Sequence, residues 1–315
     1  MKNLKKIKGD ASVRKFYRKK NDSFNSIVVF AKKDKFKNLL VYDAINKILI
    51  KNNILAPALY LEKYNKGYLE IQDFGNNTVL RILKYKKKNK ILYFKKIIKI
   101  LIKIQSIKNR QIKNFKNKNY IIPKYNKKIL IEEAELFCDW YVKKNMPANK
   151  RGKFNKKFKM IIRELSLNLK LKNNIFVHRD FHISNLMVVN EQIGVIDSQD
   201  ALIGNKAYDL ASLIDDVRFE TSQITKDKIY NYYLKGQKKL DKLKFKNDFE
   251  ILSILRNLKI IGIFTRLALR DKKKKYLKFV PYAWKLIDMR IKENNIFREL
   301  RYLINENFKG KLSEN

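Results

Sequence analysis

The sequence predicts an α+β fold in two lobes, a small β-rich N-terminal lobe followed by a larger, mainly helical one. Three observations carry that expectation. Short runs of β-branched and aromatic residues, separated by turn residues, fill the first seventy-odd positions. Beyond Gly75 most segments repeat apolar residues at helical spacing. Between residues 174 and 197 that pattern gives way to three short apolar runs around a polar loop. The division is placed at a hinge of about 70–76, leaving residues 1–75 as the smaller lobe and 76–315 as the larger.

In the smaller lobe, residues 15–18 and 26–30 read as strands joined by a turn at Asn21-Asp22-Ser23. Residues 35–51 repeat Phe36, Leu39, Leu40, Ala44, Ile45, Ile48 and Leu49 at helical intervals. Leu59-Tyr60-Leu61 and Tyr68-Leu69-Glu70-Ile71 flank Asn65-Lys66-Gly67, a hairpin turn, and Asp73-Phe74-Gly75 ends the pattern. In the larger lobe, residues 93–104 put Ile97, Ile98, Leu101 and Ile104 on one face, which suits a core-facing helix with solvated lysines. Further helices are expected at 129–144, 154–169 and, after a turn at Gly204, 207–217, with three or four more in the last third. The tail from Lys309 is expected to be loose.

With 45% hydrophobic residues, 19 Phe and 17 Tyr, the chain can build a large core, which argues against disorder. Its single cysteine, Cys138, cannot form an internal disulfide, consistent with a reducing compartment. The basic N-terminus lacks the apolar run of a signal peptide, and no window reaches the roughly eighteen apolar residues of a membrane span. The expectation is a soluble, cytoplasmic protein. The formal charge of +43 suggests a polyanion-binding surface, but only 14 of the 73 cations are Arg, whose fork recognises phosphates and bases best. Lysine here accompanies abundant Asn and Ile, the products of A/T-rich codons, so the excess is attributed to coding bias. Nucleic acid is not expected as a partner; a positive surface still steers small anions.

The most informative stretch is Val177-His178-Arg179-Asp180-Phe181-His182-Ile183-Ser184-Asn185, followed by Gly194-Val195-Ile196-Asp197. Asp180 stands five residues before Asn185 and seventeen before Asp197. That spacing matches a phosphoryl-transfer loop: one carboxylate orients a hydroxyl nucleophile, while an amide oxygen and a second carboxylate hold magnesium on nucleotide phosphates. Strands at 174–177, 186–189 and 193–196, with a turn at Glu191-Gln192, would return Asn185 and Asp197 to the same end. His178 and His182, four apart around Asp180, are read as braces for the loop. A transition-metal site at the pair is the competing reading, and it lacks a third soft ligand nearby.

On these residues the chain resembles the aminoglycoside-phosphotransferase-like branch of the protein-kinase superfold. Within it, the chain is most similar to bacterial N-acetylmuramate/N-acetylglucosamine anomeric kinases. The blocks that point to the sugar-kinase branch are Asp10-Ala11-Ser12, Phe137-Cys138-Asp139-Trp140-Tyr141 and Arg256-Asn257-Leu258-Lys259. The resemblance implies a bilobal protein-kinase-like fold, ATP and Mg2+ as cofactors, and a small-molecule sugar acceptor phosphorylated on its C1 hydroxyl, in cell-wall sugar recycling. It implies Asp180 as catalytic base and Asn185 and Asp197 as metal ligands. Asp10, Ala11 and Ser12 would form a loop over the ATP phosphates. Residues 70–74, with Ile71 and Asp73, would form the hinge whose main chain meets adenine. The acceptor would be met by Glu135, Asp139, Trp140, Asp200 and Arg266, and Asp209 would brace the catalytic loop.

Two departures from the protein-kinase pattern stand out. Only Gly9 remains of a glycine-rich loop, and the helix at 35–51 has no glutamate to pair with a strand lysine. Lys32 is the candidate phosphate cation; Asp43, the one carboxylate of that helix, is read as lying on a solvated face rather than as its partner. Only ten residues separate Asp197 from the helix near Tyr208, too few for a peptide-binding activation segment. An aminoglycoside or choline-type alcohol kinase, and a basic nucleic-acid-binding scaffold, remain as alternatives at this point.

Overall fold

The computed structural model describes residues 4–7, 14–20, 25–85, 89–292 and 294–313. Packing divides the chain into two compact units, Met1–Pro123 with Ile175–Ile203, and Lys124–Asn174 with Gly204–Asn315.

In the first unit, strands β1 (Leu4–Ile7), β2 (Lys15–Lys20), β3 (Asn25–Phe30), β4 (Leu59–Lys63) and β5 (Tyr68–Gln72) form one antiparallel sheet in the order β1-β2-β3-β5-β4. Helix α1 (Lys37–Lys51) closes over it, with Leu39 and Tyr42 packed on Val29, Leu69 and Ile71. Each aliphatic side chain buried this way contributes roughly 1.5–3 kcal/mol. The β4–β5 turn needs glycine: Gly67 has φ +73°, and a Cβ there would lie 2.2 Å from the Phe36 ring. The expected strands and helix of this region are all present. Strand β1 was not expected, because Leu4-Lys5-Lys6-Ile7 is half lysine; it is held by its ladder to β2, from Leu4↔Lys19 to Ile7↔Phe16. The turn expected at Asn21-Asp22-Ser23 lies outside the described residues.

The same unit contains α2 (Val79–Tyr85), α3 (Lys90–Gln105) and a small hairpin of β6 (Gln111–Lys113) and β7 (Asn119–Ile121). Asn89 caps α3 by accepting from the Leu92 amide, and Ile97, Ile98, Leu101 and Ile104 are buried as their spacing predicts. Strands β8 (Asn173–Val177), β9 (Leu186–Val189), β10 (Gln192–Val195) and β11 (Leu202–Asn205) follow later in the chain. β9 and β10 form a hairpin closed by Asn190 and Glu191, both left-handed at φ 46° and 64°, the geometry of a two-residue turn of the primed type. Main-chain bonds tie this hairpin to the sheet region: Val195 donates to the Leu55 carbonyl (2.7 Å) and Val188 to that of Asn77 (2.8 Å). These bonds explain why packing does not separate the chain at residue 75, where composition changes. Gly204, expected in a turn, lies inside β11, which pairs with β8.

The second unit is helical: α4 (Lys127–Leu136), α5 (Lys143–Asn145), α6 (Ala148–Leu167), α7 (Tyr208–Ile214), α8 (Gln223–Lys235), α9 (Lys242–Leu269), α10 (Val280–Ile291) and α11 (Arg298–Asn307). Asn126, Ser222 and Asp241 cap α4, α8 and α9 with their side-chain oxygens. Helix α9 is buried around most of its circumference and forms the axis of the unit. Phe137 centres an aromatic cluster, with the Tyr141, Phe154, Phe158, Trp284 and Phe308 rings within 6.4 Å of it.

The helix expected over 129–144 is not uniform, because Phe137–Val142 is wound as a π-helix between α4 and α5. The widened turn begins against α9 at Gly262, where a Cβ would sit 2.3 Å from the Leu136 carbonyl. Beneath α7, Asp215 is fully buried and bonded to Lys226, Ser253 and Arg290. Among the described residues no helix is long and apolar enough to cross a membrane.

Candidate active site

The site grows out of the two strand ends that the β9–β10 hairpin returns to one place. Asn185 precedes β9 and Ile196 follows β10, and the Ile196 amide donates to the Asn185 carbonyl (3.0 Å). Asp197 is the next residue, held left-handed at φ 63°, an uncommon conformation for a residue with a side chain. On the other side, β8 delivers His178, Arg179 and Asp180, with Arg179 also left-handed at φ 71°. The Asp180 carbonyl accepts from the His182 amide (3.0 Å) and from Asn185 Nδ2 (3.1 Å). With its amide nitrogen so committed, Asn185 has no donor to its Oδ1 among the described residues.

The two histidines have different surroundings. His178 is fully buried, and desolvation pushes its pKa down to about 4 against the opposing pull of Asp180, so the ring is neutral near pH 7. It packs edge-on to Phe181, with ring centres 6.0 Å apart. His182 lies 2.9 Å from Ser184 Oγ through Nδ1 and 3.5 Å from Asn185 Nδ2 through Nε2. One arrangement of protons satisfies both contacts: Nδ1–H donates to Ser184 and Nε2 accepts from Asn185.

Asp197 is half-buried and bonded to Arg14, whose Nη2 donates to Oδ1 at 2.9 Å. Desolvation raises the carboxyl above its ordinary range, the Arg14 charge works against this, and Asp180 and Asp200 push it up further. Beyond Asp197, Ser198 Oγ donates to Asn46 Oδ1 of α1 (2.6 Å), and Gln199 accepts from Arg14 Nη1 (2.9 Å). The first unit thus brings Asp180, Asn185, Asp197 and Asp200 into one loop region with two arginines: Arg14 on the Asp197 carboxylate and Arg179 on the Asp200 carbonyl (3.2 Å). Hard oxygen donors of this kind fit magnesium, which takes one or two protein carboxylates and completes its shell with phosphate and water. Among the described residues no group of three or more His, Cys, Asp or Glu gathers as an all-protein metal cage.

The remaining candidates fall elsewhere. Asp10, Ala11 and Ser12 lie outside the described residues. Ile71 is buried in the sheet core, and the Asp73 carboxylate is gripped by Arg18, which also bonds Asn76 and the Gly75 carbonyl. Lys32 is exposed. Asp43 is not on a solvated face as expected: it is buried, accepts from the Phe115 amide (2.7 Å) and pairs with Lys47 (2.9 Å). A carboxylate that caps a loop must face inward to reach its amide. Asp200 is exposed and bonded to Gln199.

In the second unit, Glu135 pairs with Lys159 (2.8 Å), while exposed Asp139 and half-buried Trp140 project from the π-helical turn. Desolvation and the Glu135 charge raise the Asp139 carboxyl. Arg266 lies one turn beyond Gly262 on α9, half-buried, with no partner for Nε among the described residues. Asp209 is buried in the first turn of α7.

Sequence reasoning missed Arg14, Asn46, Ser198 and Gln199 as members of this site. Arg14 had one available signal, being an arginine in a chain whose default cation is lysine.

Comparison with known proteins gives the family and the fold. The model of the phosphotransferase enzyme family matches residues 3–243. An N-acetylmuramate/N-acetylglucosamine kinase of Neisseria meningitidis serogroup B is 28% identical over 284 residues, covering 86% of this chain and 80% of the relative. A kinase of the same name from Pseudomonas aeruginosa is 26% identical over 302 residues, covering 94% and 86%. Among solved structures, a choline/ethanolamine kinase family protein from Mesorhizobium loti superposes with a TM-score of 0.63 at 12% identity, covering 95% of this chain and 92% of that one. The amicoumacin kinase hAmiN, in complex with AMP-PNP, Ca2+ and Ami, gives 0.63 at 14% identity, covering 91% and 89%. These structural likenesses establish a protein-kinase-like fold, and with the match over three-quarters of its length the chain belongs to the phosphotransferase enzyme family.

Proposed function

We propose that this protein is an ATP- and Mg2+-dependent sugar kinase that phosphorylates the anomeric hydroxyl of N-acetylmuramate or N-acetylglucosamine, in recycling of cell-wall sugars. The observation that carries the reading is the meeting of Asp180, Asn185 and Asp197 at the open end of one hairpin, in a chain whose curated relatives bear that name. Asp180 accepts the proton of the sugar hydroxyl and aims its oxygen at the terminal phosphorus. Asn185 Oδ1 and the Asp197 carboxylate would hold the magnesium. Bound there, the ion supplies neutralisation of phosphate charge as it develops in transfer. Buried, neutral His178 and the His182–Asn185 contact keep the loop in register, so the catalytic groups need little rearrangement. The anomeric hydroxyl is the most acidic one on such a sugar, which suits a carboxylate base. Glu135, Asp139, Trp140, Asp200 and Arg266 are the acceptor-side candidates.

The test is ADP release measured with a panel of acceptors: the two amino sugars, their 1-O-methyl glycosides, an aminoglycoside and choline. Turnover with the free sugars and none with the 1-O-methyl glycosides is expected; turnover with choline or the aminoglycoside alone would replace the acceptor assignment. Asp180→Asn should lower kcat by about 10²–10⁴-fold while leaving ATP binding nearly unchanged.

A further inference from the structure

We infer that Arg14 is the nucleotide-phosphate cation of this kinase, parked on Asp197 until a metal–triphosphate complex takes its place. This rests on the ATP-dependent reading above. In the protein-kinase arrangement, a strand lysine paired with a helix glutamate holds the nucleotide phosphates. Here Lys32 is exposed, α1 has no glutamate, and its one carboxylate is turned to Phe115 and Lys47. The side chains that α1 sends toward the catalytic region are Tyr42 and Asn46, one turn apart, and neither carries charge at neutral pH.

The cation comes instead from Arg14, the residue just before β2. Arg14 is 8% exposed, its guanidinium lies 5.6 Å from the Phe16 ring centre and 5.7 Å from that of Tyr42, and it bonds Asp197 and Gln199 at 2.9 Å each. Among the described residues it is the one cation bonded to Asp197. Two aromatic rings fix the plane of the fork, and Gln199 gives it a second, uncharged anchor that survives loss of the first.

The exchange follows from charge. Asp180 and Asp200 both bear on Asp197, and Arg14 is the cation bonded to its carboxylate among the described residues. A divalent ion arriving with a triphosphate satisfies Asp197 more fully than a shared guanidinium does. Arg14, always charged and planar, then turns its released donors to phosphate oxygens. No covalent bond changes; two ion pairs trade partners.

Two binding measurements test this on the purified chain: calorimetric titration of adenosine, AMP, ADP and ATP, and Mn2+ binding without nucleotide followed by electron paramagnetic resonance. Arg14→Met should weaken ADP and ATP about ten- to a hundredfold, the scale of one or two charge-assisted hydrogen bonds, and leave adenosine unchanged. The same variant should bind Mn2+ alone more tightly than wild type, because Asp197 is no longer engaged. Arg14→Lys, which keeps the charge and loses the fork, should fall between for ATP.

A purely structural arginine would weaken adenosine, ATP and Mn2+ together. That result, or ATP affinity within about twofold of wild type in Arg14→Met, overturns the assignment. If Arg14→Met does not fold, Arg14→Lys with unchanged ATP affinity also overturns it, and a selective loss of ATP over adenosine supports it. Failure of the wild-type chain to bind ATP would instead remove the kinase reading itself.

Discussion

His178 offers a prediction whose size follows from its surroundings. An imidazole at 0% exposure with a pKa near 4, against an ordinary 6.5, binds its proton far more weakly in the folded chain than in the unfolded one. Its stabilising contribution is complete above pH 6.5 and falls as the pH drops toward 4, because between those values the unfolded state takes up a proton that the native ring refuses. At 1.36 kcal/mol per pH unit the gap corresponds to ~3 kcal/mol in full, of which ~2 kcal/mol is lost between pH 7.5 and 5.0. The suitable assay is native-state hydrogen exchange at the amides of β8 and β10, expressed as protection factors at each pH. His178→Gln removes the titrating group, so its protection should depend less on pH than that of wild type by the stated amount. The carboxylates common to both proteins cancel in that difference. Parallel pH profiles for the two proteins would refute the reasoning, since they would mean that His178 is solvated or ion-paired in the native chain.

Two variants concern the second unit, which holds Trp140 and Trp284, and can be read by tryptophan fluorescence during urea unfolding. Asp215→Ala strands the buried Lys226 and Arg290 charges and should cost about 3–5 kcal/mol. Because these partners hold the Asp215 carboxyl below its ordinary range, wild-type stability from this group is present above about pH 4 and is lost as the pH falls through the folded value; Asp215→Ala should lack that acid-side loss. Gly262→Ala places a methyl group 2.3 Å from the Leu136 carbonyl and should cost about 1–3 kcal/mol, with unfolding at lower urea.

How much of this was legible in the sequence depended on range. The β9–β10 hairpin was legible because its strands alternate with turn residues only two positions apart, so local pattern alone returns Asn185 to Asp197. Strands β2 to β5 and helices α1 and α3 were legible for the same reason, whereas β1, α2 and the short β6–β7 hairpin were not. The π-helical turn was not, because the backbone that distorts it, at Gly262, is more than a hundred residues away and leaves no local mark. Arg14 meets Asp197 across 183 positions and Asn46 meets Ser198 across 152, and nothing in the residues near either partner announces the other. Asp43 was misread because a carboxylate on an amphipathic helix is ordinarily solvated, and its acceptor role depends on an amide 72 positions away.

The charge of the chain carries less information than the identity of its cations. If coding bias supplies lysine wherever a cation is tolerated, the positions that keep arginine are those where an ammonium would not serve. Arg14, Arg18 and Arg290 fit that argument: each donates to at least two acceptor atoms from a fixed plane, and Arg14 and Arg290 also lie against aromatic rings. A lysine at any of them retains the point charge but has neither the second aligned donor nor the flat face. The arginine that reaches Asp197 is therefore a physical signal within an otherwise uninformative +43 background.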